Sequence, residues 1–205
     1  MTDAPPTPPP GRRGGRLLLP LLAFLAGTVG LIVAAAVVFM PGPVPRGPSV
    51  GGPFALVDQN GRKVTEAALE GSPSLIFFGF THCPDVCPTT LFDVTQVFSA
   101  MGPKADRAKA FFITVDPERD TPALLKEYLT SFDPRISGLT GDRAAIDAVE
   151  KAYRVYARKV PLEGGEYTMD HTALVYLMDK KGQFVGAFNL QRPPADSARE
   201  LEKYL

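Results

Sequence analysis

Residues 74–91 read SLIFFGFTHCPDVCPTTL. Ser74–Phe80 is a short, mostly apolar run, the pattern of a strand buried on both faces. Cys83 and Cys87 follow directly, and they are the only cysteines in the chain. Pro88 favours a helix start, so the stretch reads as strand, loop and helix. The C-x3-C spacing is one residue longer than the C-x2-C of a thioredoxin-type redox pair. In a helix-like loop, residues four apart share a face, with Cβ atoms about 5–6 Å apart. Both sulfurs can then point at one ion, and a modest turn adjustment also lets them join as a disulfide. The free N–H groups and dipole of a helix start stabilise a thiolate there, which the spacing places at Cys87. A permanent disulfide is the plainer alternative, but so small a ring restricts the unfolded chain little.

Outward from this stretch the pattern is α/β. Upstream, Phe54–Val57 and Lys63–Thr65 flank Asp58-Gln59-Asn60-Gly61, a strong hairpin signal. Downstream, a helix is expected over Thr89–Met101 and a second buried strand over Ala110–Val115. Thr121 as cap and Pro122 as first helical residue predict a helix to Phe132. Asp142 caps another, with Ile146, Val149, Tyr153 and Tyr156 at helical spacing. Thr172–Met178 and Gln183–Phe188 read as an antiparallel hairpin, and Ala195–Leu205 as a last helix. This order predicts a thioredoxin-like fold with a mixed central sheet, an extra N-terminal hairpin and flanking helices. Chemistry in such layouts gathers beyond the carboxyl ends of the parallel strands, where the cysteine loop would lie.

The first fifty residues are different in kind. Residues 1–16 are rich in Pro, Gly and Arg, and read as a disordered tail. From Leu17 to Met40 no residue is charged, and Thr28 is the only hydroxyl. As a helix this run is about 36 Å long, enough to cross a hydrocarbon core of about 30 Å. Arg12, Arg13 and Arg16 precede it, which predicts a cytoplasmic N-terminus and an inner-membrane, single-pass protein with its C-terminal part periplasmic. A cleaved secretory signal is the competing reading, although its apolar core is usually only about 7–15 residues. Residues 41–53 hold five prolines and read as a stiff spacer. The expected division is therefore 1–16 tail, 17–40 transmembrane helix, 41–53 linker and 54–205 folded domain. Formal net charge is zero. With no basic stripe, a nucleic-acid partner gains no support. An oxidising compartment would let the two thiols pair unless something keeps them reduced.

His171, in MDHTALVYL, is one of two histidines. A lone histidine at a strand start is usually an ordinary surface or core residue. Its hairpin, however, enters the sheet where a thioredoxin-like fold faces its cysteine loop, and Asp170 beside it can orient the ring or tune its charge. Two thiolates and an imidazole are a donor set suited to copper, Cu(I) or Cu(II). His82, next to Cys83, competes for the same role, but adjacent residues rarely share a direction. Asp116, Glu118, Arg119 and Asp120 form a charged loop, equally readable as a solvated turn and helix cap. A thioredoxin-type oxidoreductase has a proline where this chain reads Asp170-His171-Thr172. That favours a metal site over a general disulfide enzyme.

At GGPFALVDQNGRKVT, FFGFTHCPDVCPTTL, TVDPERDTP and DHTALVYLMD the sequence closely resembles the Sco/SenC family. These stretches spread across residues 52–190. The resemblance implies a membrane-anchored thioredoxin-fold protein that binds one copper ion through Cys83, Cys87 and His171. It implies a role in assembling the dinuclear copper site of cytochrome c oxidase, with an oxidase subunit and a copper donor chaperone as partners. A thiol–disulfide reductase using Cys83 and Cys87 alone is the alternative. A peroxiredoxin-like peroxidase rests on fold analogy only.

Overall fold

The computed structural model describes residues 18–39 and 50–205. The expected 1–16 tail, and the 41–53 linker up to residue 49, lie outside the described residues. The chain divides into two compact units, Met1–Gly47 and Pro48–Leu205.

In the first unit, helix α1 runs over Leu18–Phe39, 22 residues. Thr28 donates its hydroxyl back to the Phe24 carbonyl at 2.7 Å, which hides the run's only side-chain polar group within the helix. Leu22, Phe24, Leu25, Val29, Leu31 and Ile32 are exposed. Counted over the described residues, no helix is long and apolar enough to cross a membrane.

The second unit is built on one seven-stranded mixed sheet, confirming the thioredoxin-like α/β fold. Strands β1 (Ala55–Asp58) and β2 (Lys63–Thr65) form the expected N-terminal hairpin. Its turn is set by Asp58, whose carboxylate accepts from the Asn60 and Arg62 amides at 2.8 and 2.9 Å. Strand β3 (Ser74–Gly79) is buried at every position, as its unbroken apolar run requires. After helix α2 (Val86–Met101) the chain returns as β4 (Lys109–Thr114), parallel to β3. Helix α3 (Pro122–Leu129) leads to β5 (Ile136–Thr140), parallel to β4. Thr121 and Asp142 cap as their sequences predict, accepting from Leu124 N at 3.3 Å and Ala145 N at 2.8 Å.

Helix α4 (Arg143–Tyr153) ends before Tyr156, because Arg154 takes a left-handed conformation (φ 57°). Strands β6 (Ala157–Pro161) and β7 (Tyr167–His171) follow as a separate two-stranded ribbon. Strands β8 (Val175–Met178) and β9 (Phe184–Ala187) rejoin the main sheet, and α5 (Pro194–Glu202) closes the chain. The sheet order is β2-β1-β5-β4-β3-β8-β9. Helices α2 and α5 pack on one another, and α3 packs on β5. Phe78, Phe80, Phe98, Phe112 and Tyr153 fill the interior.

Three expectations shift. Strand β5 reads ISGLT, too short and too polar in its middle to announce itself. The ribbon β6–β7 has no counterpart in the sequence pattern, because Met169 alone of its residues is buried and no apolar run marks it. His171 therefore ends the ribbon rather than opening the β8 hairpin.

Candidate functional site

The site forms where β3 ends. The buried strand fixes Phe80, and the Cys83 amide donates to the Phe80 carbonyl at 3.2 Å, folding the loop back on the strand. Helix α2 then starts at Val86, earlier than Pro88 suggested, so Cys87 sits inside its first turn. Its amide, one of the unpaired N–H groups of a helix start, donates to Cys83 Sγ at 3.4 Å. Both cysteines are free thiols, Cys83 partly exposed and Cys87 fully buried.

Gly79 makes this approach possible. A Cβ there would lie 2.7 Å from Phe112 Cε2 and 2.8 Å from Cys87 Sγ. The sulfur thus occupies the space that any side chain at position 79 would need.

His171 arrives from the ribbon. Its Nε2 lies 3.7 Å from Cys87 Sγ, and its Nδ1 lies 3.1 Å from the Thr172 carbonyl. A carbonyl only accepts, so Nδ1 carries the proton and the Nε2 lone pair faces the sulfur. The ring is wedged between Phe77 and Phe80, edge-on to both, with centroids 6.2 and 5.8 Å away. Burial lowers its pKa, opposed by the Thr172 carbonyl and the Asp170 charge, and favours the neutral, ligating form. One donor atom each from Cys83, Cys87 and His171 lies within 4.8 Å of the other two. Among the described residues this is the group of such side chains that could hold a metal ion.

Two details differ from the sequence reading. Burial pushes the Cys87 thiol well above its ordinary pKa, outweighing the helix start, whose amide serves Cys83 instead. Asp170 does not orient the ring. Adjacent residues of a strand face opposite ways, so its carboxylate lies on the far face of β7, 57% exposed and 3.8 Å from Arg158 of β6. The Thr172 carbonyl holds the ring, and Asp170 acts on it as a nearby charge, the other of the two roles the sequence allows.

His82 is half exposed and turns away, with Nδ1 3.0 Å from Thr81 Oγ1. It is outside the three-donor group. The loop at 116–120 is no simple solvated turn, for Asp116 and Asp120 are buried. Asp120 accepts from Thr114 Oγ1 and Thr81 Oγ1, both at 2.6 Å, and from Thr81 N at 3.1 Å. It ties the loop after β4 to the loop that carries Cys83. Burial raises its pKa against those hydrogen bonds. Phe77, Phe80, Tyr167 and Thr172 also shape the site. Nothing in their residue types marks them; only the β3 alternation and the position next to His171 could have done so.

A thioredoxin-like domain with two sulfurs and one imidazole converging beyond its parallel strands is a soft-metal or redox protein by construction. The profile of the SCO1/SenC family matches residues 43–205. The SCO2-like protein of Rickettsia felis is 40% identical over 149 residues, covering 72% of this chain and 73% of that protein. The mitochondrial protein SCO1 of Saccharomyces cerevisiae is 46% identical over 143 residues, 68% of this chain and 48% of that one. ScoI of Bradyrhizobium japonicum, solved with copper bound, superposes with a TM-score of 0.75 at 60% identity, covering 77% of this chain and 100% of that one. Yeast Sco1 with copper bound gives 0.70 at 41% identity, covering 77% and 88%. The chain belongs to the SCO1/SenC family.

Proposed function

We propose that the protein is a copper carrier that binds one ion through Cys83, Cys87 and His171 and delivers it during assembly of the dinuclear copper centre of cytochrome c oxidase. The convergence of the three donor atoms within 4.8 Å carries this reading. Two thiolates and one imidazole suit Cu(I), and Cu(II) can also occupy them. Three ligands leave a coordination position open, through which an incoming thiolate can take the metal, whereas a closed four-ligand zinc site offers no such entry. The small shell of Phe77 and Phe80 around His171 limits water on that side. A copper donor chaperone and the copper-site subunit of the oxidase are the partners this role requires.

The uncharged run Leu17–Met40, with arginines before it, supports a single-pass inner-membrane anchor with a cytoplasmic N-terminus and a periplasmic domain. Under that arrangement residues 41–53 are the spacer that gives the domain reach. Retention of the full chain in the membrane pellet after alkaline carbonate washing tests the anchor.

The reduced full-length chain in detergent should take up one copper per molecule. His171→Ala should weaken binding about 10-fold or more, since one of three ligands is lost. Unchanged affinity in that variant would sink the ligand set. A thiol–disulfide reductase is the second reading, favoured by the closeness of Cys83 Sγ to the Cys87 amide and by the unequal exposure of the two thiols. It needs no histidine, so reduction of a model disulfide at full rate by His171→Ala, with no copper uptake by wild type, would select it.

A further inference from the structure

The three candidate donors come from two separate pieces of sheet. Cys83 and Cys87 follow β3 of the main sheet, whereas His171 ends β7, which pairs with β6 in the ribbon. Alternate residues of β7 share a face, so Tyr167, the buried Met169 and His171 all point the same way. Whatever grips Tyr167 therefore sets where His171 lands, about 13 Å further along the strand at ~3.3 Å per residue.

Tyr167 is gripped by the loop after β4. The Arg119 guanidinium lies over its ring, with Cζ 3.8 Å from the centroid, and Nη1 donates to the Tyr167 carbonyl at 3.0 Å. Buried Asp116 accepts from Arg119 Nε and, at 3.0 Å, from the Tyr167 hydroxyl. Lys159 of β6 lies 4.6 Å from the same ring and pairs with Glu118. A second route is shorter. Arg119 Cζ lies 5.8 Å from the Phe80 ring, and Phe80 meets the His171 ring edge-on at 89°. Arg119 thus bears on His171 through β7 and through Phe80.

The chemistry of Arg119 fits this task. A planar guanidinium can stack on one ring, reach a carbonyl and hold a carboxylate at once, which an ammonium cannot. Among the described residues its Nη2 is buried with no hydrogen-bond partner, an unfavourable arrangement that a plain surface ion pair would avoid. We infer that Arg119 is a positioning residue for His171, and that its stacking on Tyr167 fixes the angle at which Nε2 meets the two sulfurs. The inference rests on the copper reading above.

The test is a double-mutant cycle on the full-length, reduced protein in detergent. Wild type, Arg119→Ala, Arg119→Lys, His171→Ala and the Arg119→Ala/His171→Ala pair are each titrated with Cu(I) against a chelator. X-ray absorption counts nitrogen and sulfur neighbours of the copper, and thermal melts report folding. Arg119→Ala should weaken binding about 10- to 100-fold and thin the nitrogen shell, as loss of outer-sphere support does. Arg119→Lys should stay nearer to the alanine variant than to wild type, because charge alone does not restore the stack. In the His171→Ala background the Arg119 change should add no more than about twofold. An equal loss in that background overturns the inference, as does a lowered melting temperature with wild-type affinity and nitrogen shell. If Arg119→Ala does not fold, wild-type behaviour of Arg119→Lys overturns it equally. Wild type that takes up no copper removes the copper reading and this inference with it, whereas copper uptake with an uncoupled cycle removes this inference alone.

Discussion

Gly79→Ala should damage fold and site together, by amounts the geometry sets. The new Cβ would stand 2.8 Å from Cys87 Sγ, 2.7 Å from Phe112 Cε2 and 3.0 Å from Phe77 Cε1. Ordinary contact begins at 3.4 Å, so the sulfur must retreat by about 0.6 Å. All three neighbours are buried and none is the free end of a flexible chain. Overpacking of this kind costs about 1–3 kcal/mol. For a domain near 150 residues each kcal/mol lowers the melting temperature by about 2–4 °C. Metal sites tolerate ligand displacements of only about 0.2 Å, so copper affinity should fall as well. Thermal melts of the metal-free protein and chelator competition on the copper-loaded protein measure the two effects. A variant that melts within 1 °C of wild type and holds copper as tightly would refute the argument that Cys87 is wedged against this backbone.

Copper binding should strengthen with pH. Burial raises the Cys87 thiol pKa, so near neutrality the metal must displace its proton, and apparent affinity should rise by about tenfold per pH unit for that proton. Competition titrations between about pH 6 and 8 measure the slope, and a flat profile would contradict a protonated Cys87 in the metal-free protein. Asp133 is held below the usual carboxylate range chiefly by its hydrogen bonds to Arg135, at 2.7 and 2.6 Å. Its stabilising share is therefore complete above the unfolded value of about 3.9 and is lost as pH falls through the lower folded value. Asp133→Asn should cost about 1–2 kcal/mol in urea unfolding at pH 7, and the difference from wild type should vanish in strong acid. Asp142→Ala removes the cap of α4, which supplies none of the three donors, and should cost about 1 kcal/mol while leaving copper affinity unchanged; a lowered copper affinity in chelator competition would contradict this.

What the sequence makes legible depends on whether burial writes a pattern. Ser74–Phe80 is apolar because β3 is covered on both faces, and that run alone places the cysteine loop. Thr121-Pro122 and Asp142 mark helix starts because capping is a local interaction between near neighbours. The ribbon β6–β7 writes no such pattern, since it gives the core only Met169 in full, with Ala157 and Tyr167 partly buried beside it. Without that pattern the sequence places His171 one element away from where it lies, although it already marks His171 as a candidate donor. Asp170 looked like the ring's partner because it is adjacent in sequence, whereas strand geometry turns adjacent side chains to opposite faces. Arg119 and Tyr167 stand 48 residues apart. No spacing rule connects them, and only the folded chain shows the grip.

The unequal burial of the two thiols gives the pair a direction. Cys83 reaches solvent and Cys87 does not. An alkylating reagent small enough to enter should therefore consume one thiol quickly and the second slowly, in that order. Under the proposed carrier role the same order would govern exchange with a protein partner: the outer sulfur is the hand that is offered, and the inner one is the hand that keeps hold until the transfer is complete.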